Sequence, residues 1–477
     1  MGKMQKNKSQ WQTVMVLGLI SLLTSLSGSS LTLALPVLSR DFGISNSIAT
    51  WAVTIGLVTS TILLVMFGHI GDLLSKRSVF FAGGVIFVVG SLIAGLAPDF
   101  IILLIGRVIQ AVGIAMTMAN GMGIVSDNFP SSTRAEALAA ISMFTSVGSI
   151  SGPAVGGLLI SALSWRWIYL MNVPLGAVIL LIGWRVLQPQ IPQRDRLRTI
   201  WGTANWTGQN LFTAGIIFFF VGGAMVQAPG WRVVAWIGMA IGAVLTVFSF
   251  MQDDHAKSPW IDPQLLHNPD YLISVGTLLI VMLVNAVSNI LLPFYLQSFL
   301  GVSPFLSGII MMGQSATMLL VTPIAGYLAD HWNRYWLTLV GLIVLIVSQA
   351  GYALYPPTNN WWAILWPIIL NGVGMGAFLS PNNALTMDTV PRTLGGVAGS
   401  LNSFARTLGM TVGMTFGAVI LFAQLPGVAR ITPQTGNFLG AFANVFWGST
   451  VLSALGLVVV LIRVRRMRGR GMSTDAK

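Results

Sequence analysis

Long runs of apolar residues, separated by short polar segments, make up most of the chain. Fourteen of these runs approach or exceed the ~20 residues that an α-helix needs to cross the hydrocarbon core of a bilayer. They predict an all-α membrane protein with fourteen transmembrane helices. The predicted spans are about 12–36, 47–68, 78–97, 101–126, 136–162, 166–187, 205–226, 233–251, 271–299, 305–329, 335–355, 361–387, 394–423 and 438–464.

Composition and charge support the same class. Hydrophobic residues make up 55% of the chain and charged residues only 8%, whereas soluble domains carry roughly 25% charged residues. With both termini on one side, nineteen of the 25 Lys and Arg residues, including Arg463 and the basic stretch after it, fall on that side. By the positive-inside rule, this predicts a multi-pass protein of the cytoplasmic (plasma) membrane with both termini cytoplasmic. The net charge of +12 therefore indicates the lipid bilayer as a partner and no nucleic acid.

Enzymatic chemistry has little support in the sequence. The chain has no cysteine, and its four histidines do not cluster at metal-ligand spacing. There is no glycine-rich phosphate loop and no serine-histidine-acid pattern. We therefore expect no catalytic residues, no cofactor and no metal.

Two short motifs occur twice, about 260 residues apart. GHIGDLLSKR, from Gly68, and GYLADHWNR, from Gly326, both place a basic residue four positions after an aspartate. DNFP and DTVP both place an aspartate three positions before a proline. This repeat predicts a transporter built from two related halves that move against each other. The predicted parts are an N-terminal six-helix half at 12–187, a central linker with two extra helices at 188–270, a C-terminal six-helix half at 271–464 and a basic tail at 465–477.

The repeated aspartates suggest a conformational latch at helix ends. A carboxylate there can accept hydrogen bonds from the first amides of a facing helix and pair with a loop cation. The alternative is an ordinary solvated loop. The candidate latch residues are Gly68, Asp72, Lys76, Arg77, Asp330 and Arg334.

Several segments together resemble one family. They are GHIGDLLSKR, GRVIQAVG with Arg107, GPAVGGLL at 152–159, ALPVLSRDFG, LLPFYLQSFLGVSPFLSGIIMM and NSFARTLGMTVG with Arg406. The chain resembles the fourteen-helix drug:proton antiporter branch of the major facilitator superfamily over nearly its whole length. The resemblance implies the major facilitator fold, with two six-helix halves plus two extra central helices, a monomer, and multidrug efflux coupled to proton entry.

The segment GPAVGGLL also has a direct physical interpretation. Gly152, Gly156 and Gly157 let a neighbouring backbone approach closely, and Pro153 permits a kink. We expect this part of the helix to seal one side of the bundle during gating. Helix packing without a gating role is the alternative.

One acidic residue of the resembled family is missing. When ALP at 34–36 is aligned with the family pattern, the helix 1 aspartate falls on Ser27. No acid lies near the middle of a predicted span. The candidates for proton coupling are therefore Asp127, Glu136 and Asp388, at predicted helix ends, and coupling could also be absent.

Charges inside the predicted spans are positive. An arginine at this depth is costly to insert, so Arg107 and Arg406 need a cavity or polar partners. For Arg107 we expect a gating or structural role beside helix 1 hydroxyls such as Ser27, Ser29 or Ser30. The candidate residues of a substrate cavity are Ser27, Gln110, Asn120, Asn285, Asn289, Gln314, Asn382 and Arg406. Each polar one could instead serve helix packing.

These features favour a secondary efflux transporter that moves hydrophobic or amphipathic small molecules outward by alternating access, with proton antiport. The alternative transport function is export or facilitated movement of an anionic metabolite or lipid-like compound, without proton coupling at helix 1. A third class, a membrane sensor or scaffold that does not transport, is disfavoured by the gating motifs.

Overall fold

A computed structural model describes residues 2–129, 131–187, 205–225, 232–256, 263–331, 333–390 and 395–469. Much of the predicted linker, at 188–204, and the end of the basic tail lie outside these ranges. The predicted all-α membrane fold is confirmed. Within the described residues, thirteen helices are long and apolar enough to cross a membrane, one fewer than the fourteen predicted, because the helix at 206–225, with its polar first turns, is not among them.

Fourteen long helices follow one another in the described ranges and reverse direction each time. We call the end of the bundle where α1 begins and α14 ends the near end, and the opposite end the far end. The helices are α1 Gly2–Asp41, α2 Trp51–Leu73, α3 Lys76–Gly95, α4 Phe100–Asn128, α5 Ser131–Ala162, α6 Asn172–Val186, α7 Trp206–Met225, α8 Arg232–Asp254, α9 Pro269–Pro293, α10 Pro304–His331, α11 Arg334–Ala353, α12 Trp361–Asp388, α13 Gly395–Ala423 and α14 Phe438–Gly469.

Side-chain caps fix several helix starts. Asp99 accepts a hydrogen bond from the Ile102 amide at 2.9 Å at the start of α4. Asn268 and Asn333 cap α9 and α11 in the same way. These caps satisfy amides that have no partner inside the helix. Several helices extend beyond the predicted spans, α1 and α5 by several residues, because polar residues continue the helix past the apolar core.

The two halves are α1–α6 and α9–α14. Equivalent helices pair in each: α1 packs on α5 as α9 packs on α13, and α3 packs on α4 as α11 packs on α12. The halves meet mainly along α2–α13 and α5–α10. The extra helices α7 and α8 form a hairpin with close backbone contacts, at Gly215 and Gly222 of α7 and Gly242 of α8, and α7 lies against α2 and α13.

The apolar core is shared at the far end and divided at the near end. One far-end cluster combines residues of both halves, such as Leu33 and Leu35 of α1 with Ile290 of α9. Towards the near end, a separate cluster lies inside the N-terminal half, and another, around Tyr271 and Leu401, combines residues of the C-terminal half with residues of α7 and α8. The halves are therefore joined at the far end in this structure.

A π-helical turn, Phe294–Phe299, continues α9 beyond Pro293 and was not predicted from the sequence. Aromatic rings pack around it: Tyr295 lies 4.7 Å from Tyr355, and Phe299 lies 4.9 Å from Phe438, between ring centroids. Such turns occur often at functional sites.

Candidate functional site

The glycine segment of α5 lies between two helices. On one side, Ser30 of α1 donates a hydrogen bond to the Gly152 carbonyl at 2.7 Å, and a Cβ atom on Gly156 would lie 2.7 Å from the Ser30 Cβ. On the other side, a Cβ atom on Gly157 would lie 2.5 Å from the Pro304 carbonyl oxygen of α10. The close packing expected of this segment is present. It forms a seam between the two halves.

All five hydrogen bonds between the halves, within the described residues, lie between the middle of the bundle and its far end. Thr61 of α2 and Thr411 of α13 pair at 3.2 Å near the middle. Towards the far end, Gln297 donates to the Leu33 carbonyl at 3.0 Å, and the Asn46 amide donates to the Ala429 carbonyl at 2.9 Å. In the other two, the Phe305 amide donates to the Ser161 hydroxyl and Arg430 Nε donates to the Ile44 carbonyl.

Arg107 is buried in the N-terminal half, with an exposed fraction of 5%. Its Nε donates to the Ala52 carbonyl of α2 at 2.7 Å, and its Nη1 donates to the Gln110 side chain. The guanidinium also lies against Gly56 of α2, where a Cβ atom would be 2.5 Å from Nη2. The expectation that Arg107 bonds to α1 hydroxyls is therefore wrong, because the glycine on α2 opens the space that the guanidinium fills.

A hydrogen-bonded chain continues from this arginine to Ser27. Gln110 donates to the Ser91 hydroxyl at 2.7 Å, and Asn172 donates to the Ser27 hydroxyl at 3.0 Å and to Ser91 at 3.5 Å. Ser27 is 1% exposed. The position that carries an acid in the resembled family is thus an uncharged member of a network inside the N-terminal half. Asn172 was not predicted, since an isolated asparagine at a helix start resembles a cap.

Two further predicted cavity residues serve helix packing in this structure. Asn120 of α4 donates to the Phe67 carbonyl of α2 at 3.1 Å and lies against Gly71. Asn382 of α12 donates to the Ser274 carbonyl of α9 at 3.2 Å. Both are buried.

Three predicted cavity residues come together on α9 and α10. Gln314 of α10 donates to the Asn285 side chain at 2.6 Å, and Asn289 donates to the Asn285 carbonyl one turn earlier on α9 at 2.9 Å. Asn285 and Asn289 are only partly buried. This amide cluster is a candidate contact surface for an uncharged polar group.

Arg406 of α13 differs from Arg107. Its side chain is partly exposed, and within the described residues it makes no hydrogen bond and no ion pair. One turn before it, Asn402 donates to the Asn383 side chain of α12 at 3.2 Å.

The candidate latches lie at the near end. Arg334, at the start of α11, forms an ion pair with Asp388, at the end of α12. Arg77 donates to the Trp184 carbonyl at 3.0 Å and stacks on the Trp184 ring at 5.6 Å. The Lys76 side chain lies against Gly123, and Gly68 has open space beside it, with Ala119 the nearest neighbour at 3.8 Å.

For the other predicted acids, the structure describes only the position of the backbone. Asp72, Asp127, Glu136 and Asp330 lie within two turns of a helix end, and their side chains lie outside what the structure describes. The described part of the chain contains no group of three or more His, Asp or Glu residues that could hold a metal ion.

An apolar groove of about 610 Å³ lies between α10 and α12. Thr317 is its one hydroxyl-bearing lining residue, and none of the predicted cavity residues lines it. It offers contact to an aliphatic or aromatic group and no recognition of charge.

Comparison with known proteins gives the family. A sequence profile described as "Major Facilitator Superfamily" matches residues 17–213, 203–414 and 273–474. The chain belongs to the Major Facilitator Superfamily. It is a multi-pass membrane transporter of that family, which consists of transporters and not of enzymes.

Two curated relatives of this superfamily member align over most of its length. "Riboflavin transporter RibZ" of Clostridioides difficile is 26% identical over 462 residues, which is 96% of this chain and 98% of the relative. "Multidrug resistance protein Stp" of Mycobacterium tuberculosis (strain CDC 1551 / Oshkosh) is 26% identical over 440 residues, covering 90% and 80%. The family is thus established, whereas the fourteen-helix drug:proton branch is not specifically supported.

A solved structure supports the fold. A bacterial homolog of the human lysosomal transporter Spinster, in an inward-facing and unoccupied conformation, superposes with a TM-score of 0.65 at 18% identity and covers 95% of both chains. The major facilitator fold predicted from the motifs is confirmed.

One buried charge of this superfamily member was not anticipated. Arg463, near the end of α14, is 2% exposed. It donates to the Ser274 hydroxyl at 2.5 Å, lies 3.6 Å from the Asp270 carboxylate and stacks over the Tyr335 ring at 5.3 Å. From the sequence, Arg463 counts only among the charges on the side of the termini, because helix length alone does not show that this side chain lies against α9.

Proposed function

We propose that this chain is a secondary active efflux transporter of the plasma membrane, which moves hydrophobic or amphipathic small molecules outward by alternating access. The observation that carries the proposal is the distribution of contacts between the halves. They are hydrogen-bonded from the middle to the far end, and no hydrogen bond joins them nearer the near end within the described residues. Rocking of one half against the other would break the far-end contacts and close the near end.

The proposed orientation places the near end in the cytoplasm. The supporting feature is the excess of Lys and Arg in the loops and termini at that end, which the positive-inside rule associates with the cytoplasmic side. The end without described hydrogen bonds between the halves would then face the cytoplasm, from which an exporter takes its substrate.

Coupling to proton entry is part of the proposal, with Asp127, Glu136 and Asp388 as candidate carriers. All three lie in near-end helix turns. A carboxyl group that is hydrated in one conformation and covered in another holds a proton more readily when covered. Two relatives support the efflux function by their names, "Multidrug resistance protein Stp" of Mycobacterium tuberculosis and "Multidrug transporter protein MdtP" of Bacillus subtilis.

A second candidate is export or facilitated movement of an anionic metabolite or lipid-like compound without proton coupling at helix 1. Two observations favour it. Ser27 occupies the position where the resembled family has an aspartate in helix 1, and the two charged residues deep inside the described spans, Arg107 and Arg406, are both positive.

The test uses everted vesicles with an acidic interior and a panel of cationic, neutral and anionic amphipaths, followed with a pH-sensitive dye. Release of protons that depends on the added compound supports efflux by antiport. Uptake of compound without proton movement favours the second candidate. Absence of both, from folded protein, contradicts transport of this class.

A disulfide engineered between the two halves provides a control for this test. It lacks cysteine, and the Thr61 and Thr411 hydroxyls lie 3.2 Å apart across the halves. Cβ atoms behind such a contact are near the spacing of a disulfide. The T61C/T411C variant should transport when reduced and stop when oxidised. Transport that continues after complete oxidation would contradict alternating access along this seam.

A further inference from the structure

The two arginines at membrane depth have different surroundings. Arg107 is enclosed: two of its nitrogens donate to Ala52 and Gln110, and the third nitrogen fits against Gly56. Charge-assisted hydrogen bonds of this kind satisfy the cation inside the protein. Arg107 therefore has no donor directed away from its own half.

Arg406 has the opposite surroundings. It lies inside the apolar span 401–423 of α13. Within the described chain its guanidinium makes no hydrogen bond, ion pair or ring contact, and its nitrogens are not among the buried atoms without partners. They therefore keep some exposed surface. An uncompensated arginine at such a depth is costly, and arginines of this kind mark substrate or ion pathways.

One face of α13 is polar before Arg406 and apolar after it. Asn402 lies one turn before it and Met410 one turn after it, and residues four apart share a helix face. Asn402 also donates to Asn383 of α12, whose side-chain oxygen accepts that bond at 3.2 Å. The Asn383 amide nitrogen donates no described hydrogen bond, and the bond to Asn402 places Asn383 against the helix turn that precedes Arg406. Met410 packs against the far-end cluster that both halves share and against a cluster of the C-terminal half.

Donors without a nearby carboxylate favour an anionic ligand. A guanidinium binds a carboxylate or sulfonate with two parallel hydrogen bonds, and an amide N–H can add a third. The described acids lie at helix ends or in loops, so none competes for Arg406 at its depth. A cationic amphipath would meet repulsion at this surface.

We propose that Arg406 and the Asn383 amide together bind the carboxylate or sulfonate group of an anionic amphipathic substrate whose apolar part packs towards Met410. This inference rests on the proposed transport function and specifies its substrate class. Outward movement of an anion is favoured by a membrane potential that is negative inside. Such a substrate has no need of an acid at position 27, where the chain has serine.

The test compares three naphthalene compounds of similar size on the full-length protein: naphthalenesulfonate, naphthalenesulfonamide and naphthylmethylamine. Binding is measured by quenching of tryptophan fluorescence, and uptake is measured in everted vesicles. Wild-type protein should bind and transport the sulfonate best. Arg406→Gln should weaken sulfonate binding by about tenfold or more, the effect of losing hydrogen bonds to a charged group, and leave sulfonamide binding unchanged.

Three variants separate charge from folding. Arg406→Lys keeps the charge and loses the paired donors, so it should retain part of the preference for the sulfonate. Arg40→Gln removes an exposed arginine at the far end and should leave the preference intact. If Arg406→Gln does not fold, Asn383→Ala replaces it and should weaken sulfonate binding more than sulfonamide binding.

The outcomes distinguish this inference from the proposed function. Transport of the sulfonamide or the amine without preference for the sulfonate, or an unchanged preference in Arg406→Gln, would overturn the anion site and leave efflux intact. If folded wild-type protein transports none of the three compounds or the wider amphipath panel, both proposals are overturned.

Discussion

Replacing Gly56 with alanine should destabilise the protein, although the same change normally stabilises a helix. The added Cβ atom would lie 2.5 Å from Arg107 Nη2 and 3.1 Å from Cζ, against the 3.5–4.0 Å of ordinary carbon contacts, so the guanidinium must move by about 1 Å. It is anchored by the 2.7 Å bond to the Ala52 carbonyl. Loss of a hydrogen bond to a charged group costs about 1.5–3 kcal/mol.

The expected loss of stability can be measured against the same substitution at a second glycine of α2. A Cβ atom on Gly68 would have its nearest neighbour, the Ala119 Cβ, at 3.8 Å, so Gly68→Ala should gain up to about 1 kcal/mol of helix propensity. Gly56→Ala gains the same propensity and loses the arginine contact. We therefore expect the two variants to differ by about 1.5–3 kcal/mol in free energy of unfolding, with Gly56→Ala the less stable.

The assay is unfolding of purified protein in detergent, by heat and by titration with a denaturing detergent, followed by tryptophan fluorescence. A double-mutant cycle isolates the contact: in an Arg107→Gln background, the penalty of Gly56→Ala should largely disappear. Equal stability of Gly56→Ala and Gly68→Ala would refute the enclosed arginine described above.

Four further predictions concern the seam, the ion pairs and the helix 1 position. Gly157→Leu should force α5 and α10 apart and lower transport with little loss of insertion; normal transport would argue against the seam. Asp388→Asn removes a largely exposed ion pair worth about 0–1 kcal/mol, so transport, not the unfolding midpoint, should fall if the pair is a latch. Asp270→Asn leaves the buried Arg463 without its carboxylate and should cost about 3 kcal/mol in unfolding experiments; a neutral result would mean that other contacts hold the arginine. Ser27 is 1% exposed, so Ser27→Asp would bury a carboxylate and should lower stability without raising efflux of cationic dyes; raised efflux at normal expression would show that substrate reaches this position.

The apolar runs predict the order of the long helices and all but one of the candidate spans, since bilayer thickness imposes a length that can be counted along the chain. The glycines of α5 were interpretable for a similar reason: a helix face without side chains has to meet a backbone closely. Local pattern was sufficient in both cases, and the observed contacts at Gly152 and Gly157 agree with it.

The contacts that a residue makes with neighbouring helices were less predictable from the sequence. Arg107 bonds to α2 and not to α1, because the choice depends on which neighbouring helix has a glycine at the same depth. The burial of Arg463 depends on how α14 lies on α9. The π-helical turn after Pro293 depends on the aromatic packing around it. Each of these outcomes is fixed by tertiary packing, which spacing along one helix does not encode.

The extra hairpin makes the two seams between the halves unequal towards the lipid. Ile216 and Phe220 of α7 pack with Ile62 of α2 and Leu408 of α13, so this helix covers part of the α2–α13 seam. Within the described residues, the main contacts of α7 and α8 do not extend to α5 or α10. In that part of the chain, a compound dissolved in the bilayer would therefore meet a covered seam on one flank of the protein and an uncovered seam on the other, so approach from the lipid differs between the two sides of a pseudo-symmetric bundle.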